Sequence, residues 1–275
     1  MVATPIGNLE DVTTRALRVL REVAVVAAED TRRTAKLLNY YGISTRTTSL
    51  YAQNERRRLP ALLTRLDAGH DVALVTDAGT PTVSDPGAHL IAAAAARGIR
   101  VTPIPGPSAI ISALSCSGFS ADRFTFRGFP PRKSKARLEW LRTIAANPDV
   151  SVFFEAPHRV QATLVQAATV LGDRPIVVAR ELTKAHEQVL RGPIGALIPL
   201  MSSWLGEFTI VVGPETRMDS VRNEVDYEQL WLDVVQLTKT KTLTRREAIA
   251  QVAMEAGKRP NELSRFFSAR RIGRE

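Results

Sequence analysis

Four polar stretches in this chain could do chemistry, and each follows an apolar run. Val72–Val75 stops at Thr76-Asp77, and the loop beyond it holds Asp77-Ala-Gly-Thr-Pro81 and Ser84-Asp-Pro-Gly87. That loop joins a carboxylate to turn-forming residues that leave backbone N–H and C=O groups bare to a ligand. Val23–Ala28 runs into Glu29-Asp30-Thr31-Arg32, Val150–Phe154 into Glu155, and Ile176–Val178 into Arg180-Glu181. Thr4-Pro5 and Pro105-Gly106 stand in similar places. An Asp in such a loop suits a ligand's amine or hydroxyl. Any one stretch reads equally well as an ordinary strand-to-helix connection with its cap. As a set they say more: if the strands are parallel, their ends share one rim, where open α/β sheets bind ligands. The set spans both halves of the chain and points to a cleft between them.

Other chemistries lack their usual residues. No G-x-G-x-x-G follows the first strand and no G-x-x-x-x-G-K-[ST] occurs, so dinucleotide and P-loop nucleotide binding lose their support. One cysteine, Cys116, excludes an internal disulfide and a cysteine-rich zinc site. Four scattered histidines have no metal-ligand spacing, so no metal is expected. No apolar run approaches the roughly 20 residues of a membrane span, and no basic-then-apolar leader opens the chain. The expectation is a cytoplasmic protein.

The elements that must hold these residues alternate. Helices are predicted from Asp11-Val12-Thr13 to Arg21, before Gly42, over Arg56–Leu66, from Gly87 to Arg97 and after Pro107-Ser108, with strands at 72–75 and Ile99–Ile104. Val2–Asn8 reads as the end of a first strand and its loop, either a very short strand or one that starts upstream. A second alternating set covers Val150–Phe154, Val160–Leu171, Ile176–Val178 and Glu207–Val212. The alternation of the first set argues for a mostly parallel, doubly wound sheet, and the second set repeats the alternation. The composition shifts near Ser117, so the expected domains are 1–116 and 117–214, both α/β. A polar linker at 215–227 and a helical module at 228–275 follow.

The net charge of +9 is unevenly placed. Seven basic residues and one acid lie between Arg123 and Arg142, and ten basic and four acidic residues lie from Lys239 onward. Two basic patches on a nearly neutral body fit a polyanion partner, most simply nucleic acid, or else a solvated surface. In the tail, Thr244-Arg-Arg-Glu247 is a capping-box pattern ahead of an apolar stripe of Ala248, Ile249, Val252 and Ala253. Gly257 breaks that helix, and Leu263, Phe266 and Phe267 form the next stripe. With Lys258, Arg259, Arg265, Arg270 and Arg271, this reads as a helix-turn-helix-like module or as a helical hairpin that covers a neighbour.

These motifs closely resemble a known family. Ala3-Thr-Pro-Ile-Gly-Asn-Leu9, Ala28-Glu-Asp-Thr-Arg32, Asp77-Ala-Gly-Thr-Pro81, Ser84-Asp-Pro-Gly87 and Pro105-Gly-Pro-Ser108 occur in that order. Phe154-Glu-Ala-Pro-His-Arg159, Ala179-Arg-Glu-Leu-Thr-Lys184 and Gly206-Glu-Phe208 follow. The set resembles the bacterial 2′-O-ribose rRNA methyltransferases of the tetrapyrrole-methylase superfamily over nearly the whole chain. It departs at the front, and at Ala156, where the family often has Ser.

The resemblance implies two α/β domains with S-adenosylmethionine (SAM) between them, a homodimer, and a cytidine of 16S rRNA in the small ribosomal subunit as substrate. By analogy it carries SAM contacts to Ile6, Asp77, Ala78, Gly79, Thr80, Ser108, Ala109, Phe154, Ala179 and Gly206. Within that frame, Glu155 or Asp30 is the expected proton acceptor for the ribose hydroxyl. Arg32, Arg132, Lys133, Arg159, Arg180 and Lys184 are the expected rRNA contacts. A structural ion pair of Glu155 with Arg180 competes with the catalytic role. A tetrapyrrole methylase and a nucleic-acid-binding regulator compete with the rRNA enzyme. The basic segments count against the first, and the polar strand ends against the second.

Overall fold

The computed structural model describes residues 1–201, 203–214, 227–240 and 243–255, with 260, 263, 264, 267 and 268 beyond them. Two compact units divide the chain, Met1–Glu215 and Thr216–Glu275.

The first unit holds two sheets. In the first sheet β1 (Val25–Ala28) lies between β2 (Thr47–Ser49) and β3 (Val72–Val75), and both pairings are parallel. All four β1 residues are buried, as a central parallel strand covered on both faces requires. Val26 and Ala28 face Ala16 and Leu20 of α1 (Thr14–Glu22) and Leu38 of α2 (Thr31–Tyr40). Val25 and Ala27 face Leu62 and Leu63 of α3 (Glu55–Asp67) and Leu90 and Ala94 of α4 (Ala88–Ala96). The period of two along β1 thus assigns alternate residues to two helical layers.

Two sequence expectations change here. Val2 bridges Ile104 and Thr4 bridges Gly79, so the amino-terminal segment forms isolated bridges in place of a strand, and Val2 N donates to Leu74 O of β3. The predicted strand Ile99–Ile104 is reduced to the bridge at Ile104.

The second sheet has the order β4 (Phe124–Phe126), β5 (Val150–Glu155), β8 (Phe208–Val212), β6 (Pro175–Arg180) and β7 (Gln188–Pro193). Only β4–β5 is parallel; β8 runs against both β5 and β6, and β7 against β6. The parallel pairing expected from the first alternating set is found in the first sheet, and the second sheet is mixed. Residues 181–187 are too few for the crossover that a parallel β6–β7 pair would need. Because β5 and β6 both oppose β8, they run the same way. Glu155 and Arg180 end at one rim, each in register with Phe208.

One face of this sheet packs Phe153, Ile176, Val178 and Ile210 on α6 (Ser134–Ala145), α7 (Pro157–Leu171) and α8 (Ile194–Leu197). The other face takes α5 (Ala109–Ser115), whose Ile110, Ala113 and Leu114 lie among Val152, Val177 and Val211. The division expected at 116/117 thus falls beyond a helix that already belongs to the second sheet, and the two α/β lobes close into one unit.

In the second unit, α9 (Tyr227–Thr240) and α10 (Arg245–Glu255) share a small core of Val234, Ala248, Ile249, Val252 and Ala253 with Leu263 and Phe267. The capping box forms: Thr244 N and Oγ1 donate to Glu247 Oε2 at 2.8 and 2.7 Å. Arg245 lies over the Trp231 ring, 5.4 Å from its centroid. Of the expected linker 215–227 all but Tyr227, which opens α9, lies outside the described residues, as do Lys258, Arg259, Arg265, Phe266, Arg270 and Arg271.

Candidate active site

A cleft of about 370 Å³ lies where the two sheets present their rims to each other. Glu29 and Asp77, which follow β1 and β3, enter it from the first sheet, with Ile6 from the amino-terminal loop. Phe154 and Glu155 enter at the end of β5, and Glu207 and Phe208 at the start of β8. Ser108 and Ala109 close it where the chain passes between the sheets.

The two polar strand ends of the first sheet brace each other. Asp77 N donates to Glu29 Oε2 at 3.1 Å, and Asp30 N donates to Asp77 Oδ1 at 3.0 Å. Arg33 stands 3.6 Å from the other Asp77 oxygen. The loop after β3 then turns through four left-handed positions, Gly79 (φ +77°), Thr82 (+74°), Ser84 (+67°) and Gly87 (+114°). Two of these are not glycine, and strained backbone of this kind gathers at functional sites. The turn brings Asp85 into the cleft beside Glu29 and Asp77. Burial, reinforced by the Glu29 charge, pushes the Asp85 carboxyl up to about 6. Burial also raises Glu29, with the Asp77 charge adding to it against the backbone hydrogen bond from Asp77.

Glu155 is 2% exposed and fully engaged. Its Oε1 accepts from Ala156 N at 2.8 Å and pairs with Arg159 at 2.6 Å, and its Oε2 accepts from Thr163 Oγ1 at 2.6 Å. The expected partner Arg180 instead donates through Nε to Leu205 O at 2.5 Å. Glu155 thus ties the end of β5 to the first turns of α7.

Of the sequence-derived set, Ile6, Asp77, Ala78, Gly79, Thr80, Ser108, Ala109, Phe154 and Glu155 line the cleft. Asp30 caps α2 and holds Arg32 through both carboxylate oxygens, which keeps its own carboxyl well below the usual range. Ala179 is buried beneath the rim among Val152, Val177 and Val211. Gly206 (φ +103°) packs so closely on Glu181 that a Cβ there would lie 2.6 Å from Glu181 Cγ. Arg132 and Lys133 are exposed and carry no ion pair among the described residues, whereas Arg32, with an 87% exposed side chain, is spent on Asp30. Arg159 and Lys184 do not present open cations, whereas Arg180 makes its Nε bond to the Leu205 carbonyl and forms no ion pair among the described residues. Arg159 binds Glu155 and Pro130 O, and Lys184 bridges Glu181 and Glu207 at 2.8 and 3.1 Å. Sequence reasoning missed Arg33, Asp85 and Phe129 as cleft residues, and left Glu29 as a strand end only. Asp85 was readable from the Ser84-Asp-Pro-Gly87 motif. Phe129 lay outside every motif.

Comparison with known proteins decides the family. Residues 1–198 match the family model of tetrapyrrole (corrin/porphyrin) methylases. A ribosomal RNA small subunit methyltransferase I from Synechocystis is 44% identical over 258 residues, 93% of this chain and 91% of that protein. The chain belongs to the ribosomal RNA small subunit methyltransferase I family of tetrapyrrole methylases. Another member, from Escherichia coli O157:H7, is 47% identical over 208 residues, 75% of this chain and 71% of its own length. A crystal structure of diphthine synthase shares the fold at a TM-score of 0.58 and 16% identity, over 77% of this chain and 88% of its own. The family makes the chain a methyltransferase of the tetrapyrrole-methylase fold. Among the described residues no cluster of His, Cys, Asp or Glu could hold a metal, and no helix is long and apolar enough to cross a membrane.

Proposed function

We propose that this protein transfers a methyl group from SAM to the ribose 2′-hydroxyl of a cytidine in 16S rRNA of the small ribosomal subunit. The observation that carries this reading is the cleft itself, where the family's loop motifs meet from both sheets around Asp77, Asp85, Ser108 and Phe154. The rRNA substrate comes from the names of the relatives, and the exposed Arg132 and Lys133, a few residues beyond the cleft residue Phe129, support it over a tetrapyrrole. A cytoplasmic homodimer belongs to the same reading.

The residues present fit SAM. Gly79 forms a cradle that a side chain would fill: a Cβ there would lie 3.4 Å from Ile6 Cγ2 and 3.6 Å from Pro107 O. The carboxylates of Glu29, Asp77 and Asp85 suit a ligand bearing an ammonium, a sulfonium and ribose hydroxyls, while Ile6, Ala109 and Phe154 enclose apolar surface. When bound, SAM would supply an electrophilic methyl on sulfur.

The protein's own tasks are then to align the ribose oxygen with the methyl–sulfur bond and to take up the hydroxyl proton. Asp85 is assigned the second task in place of Glu155 and Asp30. It faces the cleft, and its affinity for a proton is set near neutral pH, where a general base works best. Glu155 and Asp30 each hold an arginine and serve as positioning residues.

Incubating purified small subunits with labelled SAM, followed by nuclease mapping, tests the reading. Label on a cytidine 2′-O-methyl supports it. Label on a base or on protein overturns the ribose assignment. No label on RNA alongside calorimetric SAM binding turns the assignment to a tetrapyrrole.

A further inference from the structure

At the mouth of the cleft stands a ring that the SAM reading does not use. Phe129 lines the cleft and is 54% exposed. Its ring centroid lies 5.6 Å from that of Phe154, which packs edge-on against Phe126 at 5.0 Å. The backbone around Phe129 is pinned on both sides. Arg127 N donates to Val152 O and Phe154 N to Gly128 O, so pairing with β5 continues beyond β4. Gly128 takes φ +64°, a turn that favours glycine, and the Pro130 carbonyl accepts from Arg159 Nη2 at 2.8 Å. Arg159 is itself fixed by the buried Glu155. The loop after β3 packs beside this segment: Val83 is also exposed, and Ser84 Oγ would stand 3.8 Å from a Cβ on Gly128. Arg132, Lys133 and Lys135, a few residues on, are exposed and form no ion pair among the described residues.

We infer that Phe129 is the platform on which the nucleobase of the target nucleotide stacks, with Arg132 and Lys133 on the adjoining phosphates. This rests on the RNA-methyltransferase reading and adds how the substrate is held. Sequence-specific recognition of structured RNA targets unpaired nucleotides whose bases are splayed out of the stack and left without neighbours. An exposed aromatic ring on a fixed backbone restores one face of that stack, and the nearby cations hold the strand without reading its sequence. The Glu155–Arg159–Pro130 chain of contacts is then what keeps the platform in place.

The test compares full-length Phe129→Ala, Phe129→Trp and Arg132→Ala/Lys133→Ala with the wild type on purified small subunits. Phe129→Ala should raise the KM for subunits about 5- to 100-fold, the effect of losing one stacked base. Its SAM affinity, sedimentation and Tm should stay unchanged, and Phe129→Trp should restore KM. The dependence of KM on salt should keep its slope in Phe129→Ala and flatten in the double variant, because only phosphate contacts release counterions. A wild-type KM in Phe129→Ala overturns the proposal. So does a loss of SAM affinity, which would give the ring to the cofactor, or altered sedimentation, which would give it to a second copy of the chain. A wild-type protein that methylates no RNA fails at the underlying reading, and the control arm separates that case from failure of Phe129 alone.

Discussion

Two carboxylates in the cleft are held so differently that they must behave differently. Glu155 is buried against Arg159, Thr163 and the Ala156 amide, so neutralising it strands a guanidinium away from water. Glu155→Gln should lower stability by about 2–4 kcal/mol in urea titration. A Glu155→Gln/Arg159→Met variant should recover part of that loss, since it leaves no unpaired charge. Asp85 is the opposite case. Folding raises its carboxyl from 3.8 to about 6, so the folded chain keeps a proton that the unfolded chain has released. Stability therefore falls as pH rises from about 4 to about 6 and stays lower above that window. Asp85→Asn removes this cost. Its Tm should exceed the wild type's at pH 7.5 by about 2–4 °C, roughly 1 kcal/mol after solvent screening, and the two should converge near pH 4. Methyl transfer should fall about 100-fold or more in the same variant. Unchanged turnover would remove Asp85 from the chemistry.

At the scale of elements, the second sheet depends on one buried cation. Arg174, just ahead of β6, donates to the carbonyls of Gly213, Ile144, Ala145, Asn147 and Asp149. It thereby joins the end of α6, the turn into β5 and the end of β8. Arg174→Met leaves several buried carbonyls without a donor and should cost about 3–5 kcal/mol in chemical denaturation, with Arg174→Lys intermediate. The elements that sequence reading recovered were those with an unmistakable period or run, such as β1, β3, β5 and α7. Those it missed are short or half-exposed: β2 is a three-residue Thr-Thr-Ser strand, and β7 carries no buried residue. Neither has an apolar signature, because each is an edge strand selected by its neighbour's free hydrogen-bonding groups.

At the scale of the molecule, the cleft belongs entirely to Met1–Glu215, and the tail has its own small core. A chain ending at residue 215 should therefore bind SAM within about twofold of the full-length protein by calorimetry, since every lining residue and its support remain. If the tail carries part of the RNA contact, the shortened chain should bind small subunits more weakly and with a flatter dependence on salt. Equal affinity and slope would leave the tail a role in covering or assembly.

The sequence alone determined the α/β class, the strand-end motifs and the capping box at Thr244–Glu247, all written in neighbouring residues. Periodicity, turn chemistry and caps are local, so a linear reading reaches them. The tertiary structure alone decided which strand-end groups were already spent. Glu155 and Arg180 look alike as polar ends of two strands, yet one is buried and clamped by Arg159, and the other makes a single exposed bond to the Leu205 carbonyl. It also set the antiparallel β8 between β5 and β6, and it put Asp85 and Phe129, far apart in the chain, in the lining of one cleft. Partner choice and burial depend on long-range packing, and no local pattern encodes them.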